Sequence, residues 1–133
     1  MIVTYVDTSA LAKLLVEEDE SEPLRLALSA IKTVSSVLAG VELAAVARRQ
    51  HIPGGLALAT SVLERVRLLP LTDTVLRSAR SAADAPPLRA LDLLHLLTAR
   101  SARDALGATT LIAYDRDLLD AASAEGFAVS APT

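Results

Sequence analysis

Cysteine and tryptophan are absent from this chain of 133 residues, and aromatic residues make up only 2% of it. Without cysteine there is no disulfide framework, no thiolate metal site and no cysteine nucleophile. With two tyrosines and one phenylalanine, there is little surface for stacking bases or sugars. No apolar stretch approaches the roughly 20 residues needed to cross a bilayer. The start of the chain has no basic leader, uninterrupted h-region or cleavage pattern, so a soluble cytoplasmic protein with no membrane association is expected.

What is present is aliphatic. Hydrophobic residues make up 52% of the chain, and with so few aromatics the core must be built from Leu, Ala and Val. A length of 133 residues suits a single domain, large enough to bury a core without a structural metal. The net charge of −3 conceals an uneven distribution. Five acids are crowded into Glu17, Glu18, Asp19, Glu20 and Glu22. Setting these aside, with four further acids discussed below, leaves seven acids against 13 bases. The remaining surface is cationic, which permits phosphate contacts.

The pattern along the chain alternates strand and helix. An apolar strand over residues 2–6 is followed by Asp7, Thr8 and Ser9 and a helix over residues 10–15, with Thr8 or Ser9 expected to cap it. After the acidic run, Pro23 fits the first turn of a second helix reaching residue 30. Residues 33–35 suggest a short strand, and a long helical pattern runs from Ser36 to Gln50. Pro53-Gly54-Gly55 breaks the chain before apolar positions 56, 59, 63 and 66 recur at helical spacing. A short strand over residues 67–71 leads to a helix capped by Thr72 or Asp73 that fades by Ala83, and a turn opens at Ala85. Residues 91–106 form the strongest helical pattern, ended by Gly107. A strand over residues 109–113, a helix to Glu125, a stop at Gly126 and a strand over residues 127–129 complete the order. Strands separated by helices predict parallel βαβ units with right-handed crossovers, hence an α/β sandwich with a small central parallel sheet flanked by helices.

Four acids stand where this order could gather them. Asp7 and Asp115 each follow an apolar run, the place where parallel sheets present ligand-binding groups. Glu42 and Asp92 lie in otherwise apolar helical segments, where a carboxylate is costly to bury without a partner. Each has a plainer reading. Asp7 suits helix capping, Glu42 a solvated flank or partner for Arg48 or Arg49, and Asp92 compensation of a helix dipole. Asp115, Asp117 and Asp120 all suit the start of the last helix. His95, three residues after Asp92 and on roughly the same face, reads as a ligand, a base or a hydrogen-bonded structural residue. His51 suits a helix C-terminus, and the acidic run from Glu17 a solvated loop.

Taken together, the segments Val6-Asp7-Thr8-Ser9-Ala10-Leu11, Ser35-Ser36-Val37-Leu38 through Glu42-Leu43, Leu88 to His95, and Tyr114-Asp115-Arg116-Asp117-Leu118 resemble PIN-domain proteins. The similarity is greatest to the VapC-type toxins of toxin–antitoxin pairs, and it extends over nearly the whole chain. It implies a three-layer α/β/α domain over residues 1–133 and an endoribonuclease dependent on Mg2+ or Mn2+. The family's acidic positions fall on Asp7, Glu42, Asp92 and Asp115, with Asp117 as an additional contributor and Ser9 as a hydrogen-bond partner of the first acid. The same resemblance implies an RNA substrate, a VapB-type antitoxin and a homodimer.

Such a pocket has a physical need for cations. Two carboxylates about 5 Å apart repel by roughly 3 kcal/mol at an effective dielectric of about 20, and an oxygen-only shell favours hard Mg2+ or Mn2+. The expectation is that Asp7, Asp92 and Asp115 hold one or two ions, with Glu42 as ligand or orienter of the attacking water. Arg89, Arg116, Arg48 and Arg49 are candidate phosphate contacts. A phosphatase with Asp7 as nucleophile is a poorer fit, because Ser9 stands where a second aspartate is usual. A binding module without catalysis is the remaining alternative.

Overall fold

The computed structural model describes residues 1–81 and 86–133. Its elements run β1 (Ile2–Val6), α1 (Thr8–Leu11) continued by a 3-10 turn (Ala12–Leu14), α2 (Ser21–Leu28), β2 (Ile31–Ser36), α3 (Leu38–Arg49), α4 (Gly55–Leu63), β3 (Arg67–Leu69), α5 (Asp73–Ser81), α6 (Ala90–Leu106), β4 (Thr110–Ile112), α7 (Arg116–Ala124) and β5 (Ala128–Ser130). All strands pair in parallel, in the order β3-β2-β1-β4-β5. The chain winds outward from β1 to β3 on one side and then crosses to build β4 and β5 on the other. The order therefore reverses between β1 and β4, the switch point at which open parallel sheets form ligand crevices.

Period-2 alternation sorts the sheet into two faces. Val3 and Tyr5 of β1, with Leu111 of β4 and Ala113, pack into one core with Leu96, Ala99 and Ala102 of α6 and Leu118, Ala121 and Ala122 of α7. Val6 and Ile112 point the other way, into a core with Leu11, Leu24 of α2, Ala39 and Leu43 of α3 and Ala59 of α4. The α/β/α layering expected from the sequence is what these two cores define. Among the described residues, no helix is long and apolar enough to cross a membrane.

Several local expectations need correcting. Helix α1 is capped by Asp7, whose side chain accepts from the Ser9 amide, and not by Thr8 or Ser9. Strand β2 is six residues long and pairs with both β1 and β3. Its Thr and Ser residues conceal a strand whose last three positions, Val34, Ser35 and Ser36, are all buried. Strand β3 stops at Leu69, since Pro70 has no N–H for the ladder. The α6 boundary is close to expectation, with Gly107 in left-handed backbone as its cap. The expected fading of α5 at Ala83 and the start of the turn at Ala85 lie outside the described residues.

Gly55, the first residue of α4, packs against α3 and the connection after it, where an added Cβ would stand 2.9 Å from the Ala47 Cβ and 3.0 Å from the Ile52 Cβ. At Gly40, inside α3, an added Cβ would meet only Leu63 Cδ1, at 3.5 Å, which is ordinary contact. Opposite effects are expected in urea unfolding. Gly40→Ala should raise stability by about 0.5–1 kcal/mol through helix propensity, and Gly55→Ala should lower it by about 1–3 kcal/mol through overpacking. An unchanged midpoint for Gly55→Ala would contradict this packing.

Candidate active site

Both strands at the switch point end in a carboxylate. Asp7 and Asp115 follow β1 and β4 with backbone still extended, so each continues the alternation of Tyr5 and Ala113 toward the α6 side. Asp92 lies in the first turn of α6, and Glu42 in the second turn of α3. All four line one open cleft, together with Thr8, Ser9, Arg49 and the apolar residues Val41 and Leu91. Asp117 is exposed and does not line it. Among the described residues, no three carboxylate or imidazole groups are drawn together into a ready-made metal cluster; the acids line the cleft without closing on a point.

Asp7 is 3% exposed. Its Oδ2 accepts from the Ser9 amide at 3.2 Å and from the Ser9 hydroxyl at 2.7 Å. Its Oδ1 is buried with no hydrogen-bond partner and stands 3.6 Å from His95 Nδ1. Ser9 does more than hold Asp7: its Oγ also accepts from the Tyr114 amide at 3.0 Å. One hydroxyl thereby fastens the end of β1 to the residue before Asp115.

Glu42 is held by a different set. Its Oε1 accepts from the Thr8 hydroxyl at 2.9 Å and from His95 Nε2 at 2.7 Å, and not from Arg48 or Arg49. Burial pushes its carboxyl up, but the hydrogen bond and charge of His95 with the Thr8 hydroxyl outweigh that, so the net shift is downward. His95 is the counterpart. Burial lowers it, yet the Glu42 hydrogen bond and the charges of Asp7, Glu42 and Asp92 raise it above the ordinary imidazole value. Asp92 is pushed up, first by burial and then by the charges of Asp115 and Asp7. The Asp92 shift describes a carboxylate that feels its neighbours across a shared space.

Asp115 lines the cleft while its Oδ1 caps α7, accepting from the Leu118 amide at 3.2 Å. Of the candidate phosphate contacts, Arg49 borders the acids, and Arg89 and Arg116 are exposed beside Ala90 of α6 and Asp115. Arg48 lines a separate hollow with His51 and Ile52. The acidic run is less free than expected: Glu18 pairs with Lys13 at 2.6 Å, and Glu17 pairs with Arg25. Sequence reasoning overlooked Tyr5 and took Thr8 only as a cap. Tyr5, two positions before Asp7 on the same strand face, carried the available signal.

This arrangement defines a class, a small α/β domain that concentrates carboxylates at the switch point of a parallel sheet. A family model described as PIN domain matches residues 4–124, and the chain belongs to that family. Ribonuclease VapC35 of Mycobacterium tuberculosis is 40% identical over 131 residues, covering 96% of each chain. Ribonuclease VapC46 of the same organism is 37% identical over 140 residues, covering 100% of each. Two solved structures share the fold. M. tuberculosis VapC20, described as a Sarcin-Ricin loop cleaving toxin, matches with TM-score 0.72 at 19% identity over 97% of this chain and 99% of its own. A toxin-antitoxin complex from Klebsiella pneumoniae matches with TM-score 0.70 at 18% identity over 98% of each chain.

The Ser9 bridge gives a direct test of how the site is held. Ser9→Ala removes the hydroxyl donor to Asp7 Oδ2, keeping only the amide, and leaves the Tyr114 amide without its acceptor. A loss of about 1–3 kcal/mol is expected in urea unfolding, largely restored by Ser9→Thr. An unchanged midpoint for Ser9→Ala would show that the bridge does not hold the strand ends together.

Proposed function

We propose that the chain is a divalent-cation-dependent endoribonuclease and the toxin of a toxin–antitoxin pair. The observation that carries this reading is the Asp7 carboxylate. It is nearly out of water with one oxygen unpartnered, in a cleft shared with three further acids. A buried carboxylate oxygen without a donor is costly, and a hard cation offsets that cost. The donor set is all oxygen, which fits Mg2+ or Mn2+. The curated relatives named ribonucleases match at near full length, which supports RNA as the substrate.

Asp7 through Oδ1, Asp92 and Asp115 would hold the cation. When bound, it supplies Lewis acidity, activating water toward phosphorus and offsetting the charge that builds on the phosphate. Glu42, held ionised by His95 and Thr8, orients the attacking water and accepts its proton. Arg49 in the cleft lining offers a bidentate contact to a phosphate, and Arg89 and Arg116, exposed at the starts of α6 and α7, are further candidates. Val41 and Leu91, both exposed at the rim, give the cleft apolar walls, so backbone and shape would govern substrate choice more than stacking.

A separate groove, lined by Leu11, Leu14, Arg25, Leu28, Leu58 and Val62, fits the apolar face of an antitoxin segment.

Purified protein should cleave an RNA pool with Mg2+ or Mn2+, leaving 5′-phosphate and 3′-hydroxyl ends, and chelation should abolish cleavage. Asp92→Asn should lower kcat/KM by at least about 100-fold, on the scale of losing a group that acts in the transition state. Cleavage that survives both chelation and Asp92→Asn, or 2′,3′-cyclic phosphate ends, would refute the mechanism.

A further inference from the structure

Glu42 differs from the other acids of the cleft in what holds it. A carboxylate oxygen has two lone-pair sites, and both sites of Oε1 are filled, by the Thr8 hydroxyl and by His95 Nε2. Among the described residues Oε2 meets no protein donor. Unlike Asp7 and Asp115, Glu42 does not stand at the start of a helix, so backbone amides cannot fix it. Its orientation depends on side chains from α1 and α6.

The imidazole that holds it is itself constrained. His95 is 1% exposed, and its Nδ1 lies 2.7 Å from Tyr5 Oη. The Tyr5 ring meets it edge to face, 5.9 Å between centroids at 70°. A carboxylate only accepts, so the proton between His95 and Glu42 belongs to Nε2. In the neutral ring Nδ1 is then the acceptor, and the Tyr5 hydroxyl donates to it. Tyr5 is fully buried, and a phenol, with an ordinary pKa of about 10, keeps its proton at neutral pH. In the neutral ring a single direction of donation then runs from Tyr5 through His95 to Glu42.

We propose that His95 is a positioning residue of the site: oriented by the Tyr5 hydroxyl, it grips Glu42 by Oε1 and thereby presents Oε2 to the cleft. The catalytic consequence rests on the ribonuclease reading above, whereas the hydrogen-bond arrangement can be tested without it. Truncating the imidazole frees Glu42 to rotate, and a misplacement of about 1 Å at a reacting group costs roughly 100-fold in rate. Substrate contacts made by the arginines and the cleft walls are untouched, so KM is retained.

Two measurements test this. Nitrogen-15 NMR of the wild-type imidazole rings, recorded on the alkaline side of their titration, should show His95 with the proton on Nε2 and an accepting Nδ1. The chain has two histidines, so His51→Asn assigns the signals. Tyr5→Phe should shift the Nδ1 resonance of His95. A neutral ring protonated on Nδ1, or no shift with Tyr5→Phe, overturns the proposal. This experiment needs no activity, so it decides the arrangement even if no cation supports RNA cleavage and the ribonuclease reading fails. In the cleavage assay, His95→Leu should lower kcat roughly 100-fold with KM within about twofold of wild type. His95→Gln, which keeps an amide donor for Glu42, should recover to within about 10-fold of wild type. Tyr5→Phe should cost roughly 3–10-fold in kcat, the scale of one hydrogen bond. A folded His95→Gln no better than His95→Leu, or a loss confined to KM, overturns it as well.

Discussion

A carboxylate nearly out of water at the end of the central strand is the constraint around which this molecule is arranged. Asp7 cannot sit there alone. Its Oδ2 takes two donors from Ser9, and Ser9 in turn receives the Tyr114 amide. The Asp7 amide donates to Ile112 O at 2.9 Å, a further stitch between the same two strands. Satisfying one acid therefore fixes the relative position of the strand ends from which Asp7 and Asp115 project. The remaining oxygen, Oδ1, has no donor and faces the imidazole of His95 at 3.6 Å.

Topology supplies the other half of the site. The reversal between β1 and β4 leaves a crevice that no loop has to bridge, and the helices on its two sides each deliver one acid. Helix α6 brings Asp92 from the layer that covers Tyr5, and α3 brings Glu42 from the opposite layer. His95 on α6 then bonds Glu42 on α3, joining the two layers across the cleft.

The parts of this that were legible in the sequence share a physical cause. Asp7 and Asp115 stand directly after apolar runs, and period-2 alternation carries them to the strand ends. Asp92 and Glu42 are acids amid Leu and Ala, where burial without purpose is expensive. Gly107 marks the end of α6 because left-handed backbone favours glycine. What was not legible depends on neighbours that only the fold provides. The full length of β2 is hidden by its Thr and Ser residues, which become strand through pairing on both edges. The Tyr5–His95–Glu42 line joins residues 90 and 53 positions apart, and no local pattern relates them. The cap on α1 had three candidates in adjacent positions, Asp7, Thr8 and Ser9, and only the folded backbone gives it to Asp7.

Capping a helix and lining the cleft are not rival roles here. Asp7 and Asp115 are the N-caps of α1 and α7, and Asp92 lies in the first turn of α6. Each helix start favours a nearby negative charge by about 0.3–1 kcal/mol, which helps the fold concentrate carboxylates in one cleft. The dipoles do not finish the task, since a single carboxylate pair about 5 Å apart repels by roughly 3 kcal/mol at moderate dielectric. Asp92 registers the excess: burial and the charges of Asp115 and Asp7 raise its affinity for a proton. The same residual repulsion would be relieved by a divalent cation, because one ion would answer several charges at once. Glu42, with no helix start to support it, takes the imidazole of His95 instead.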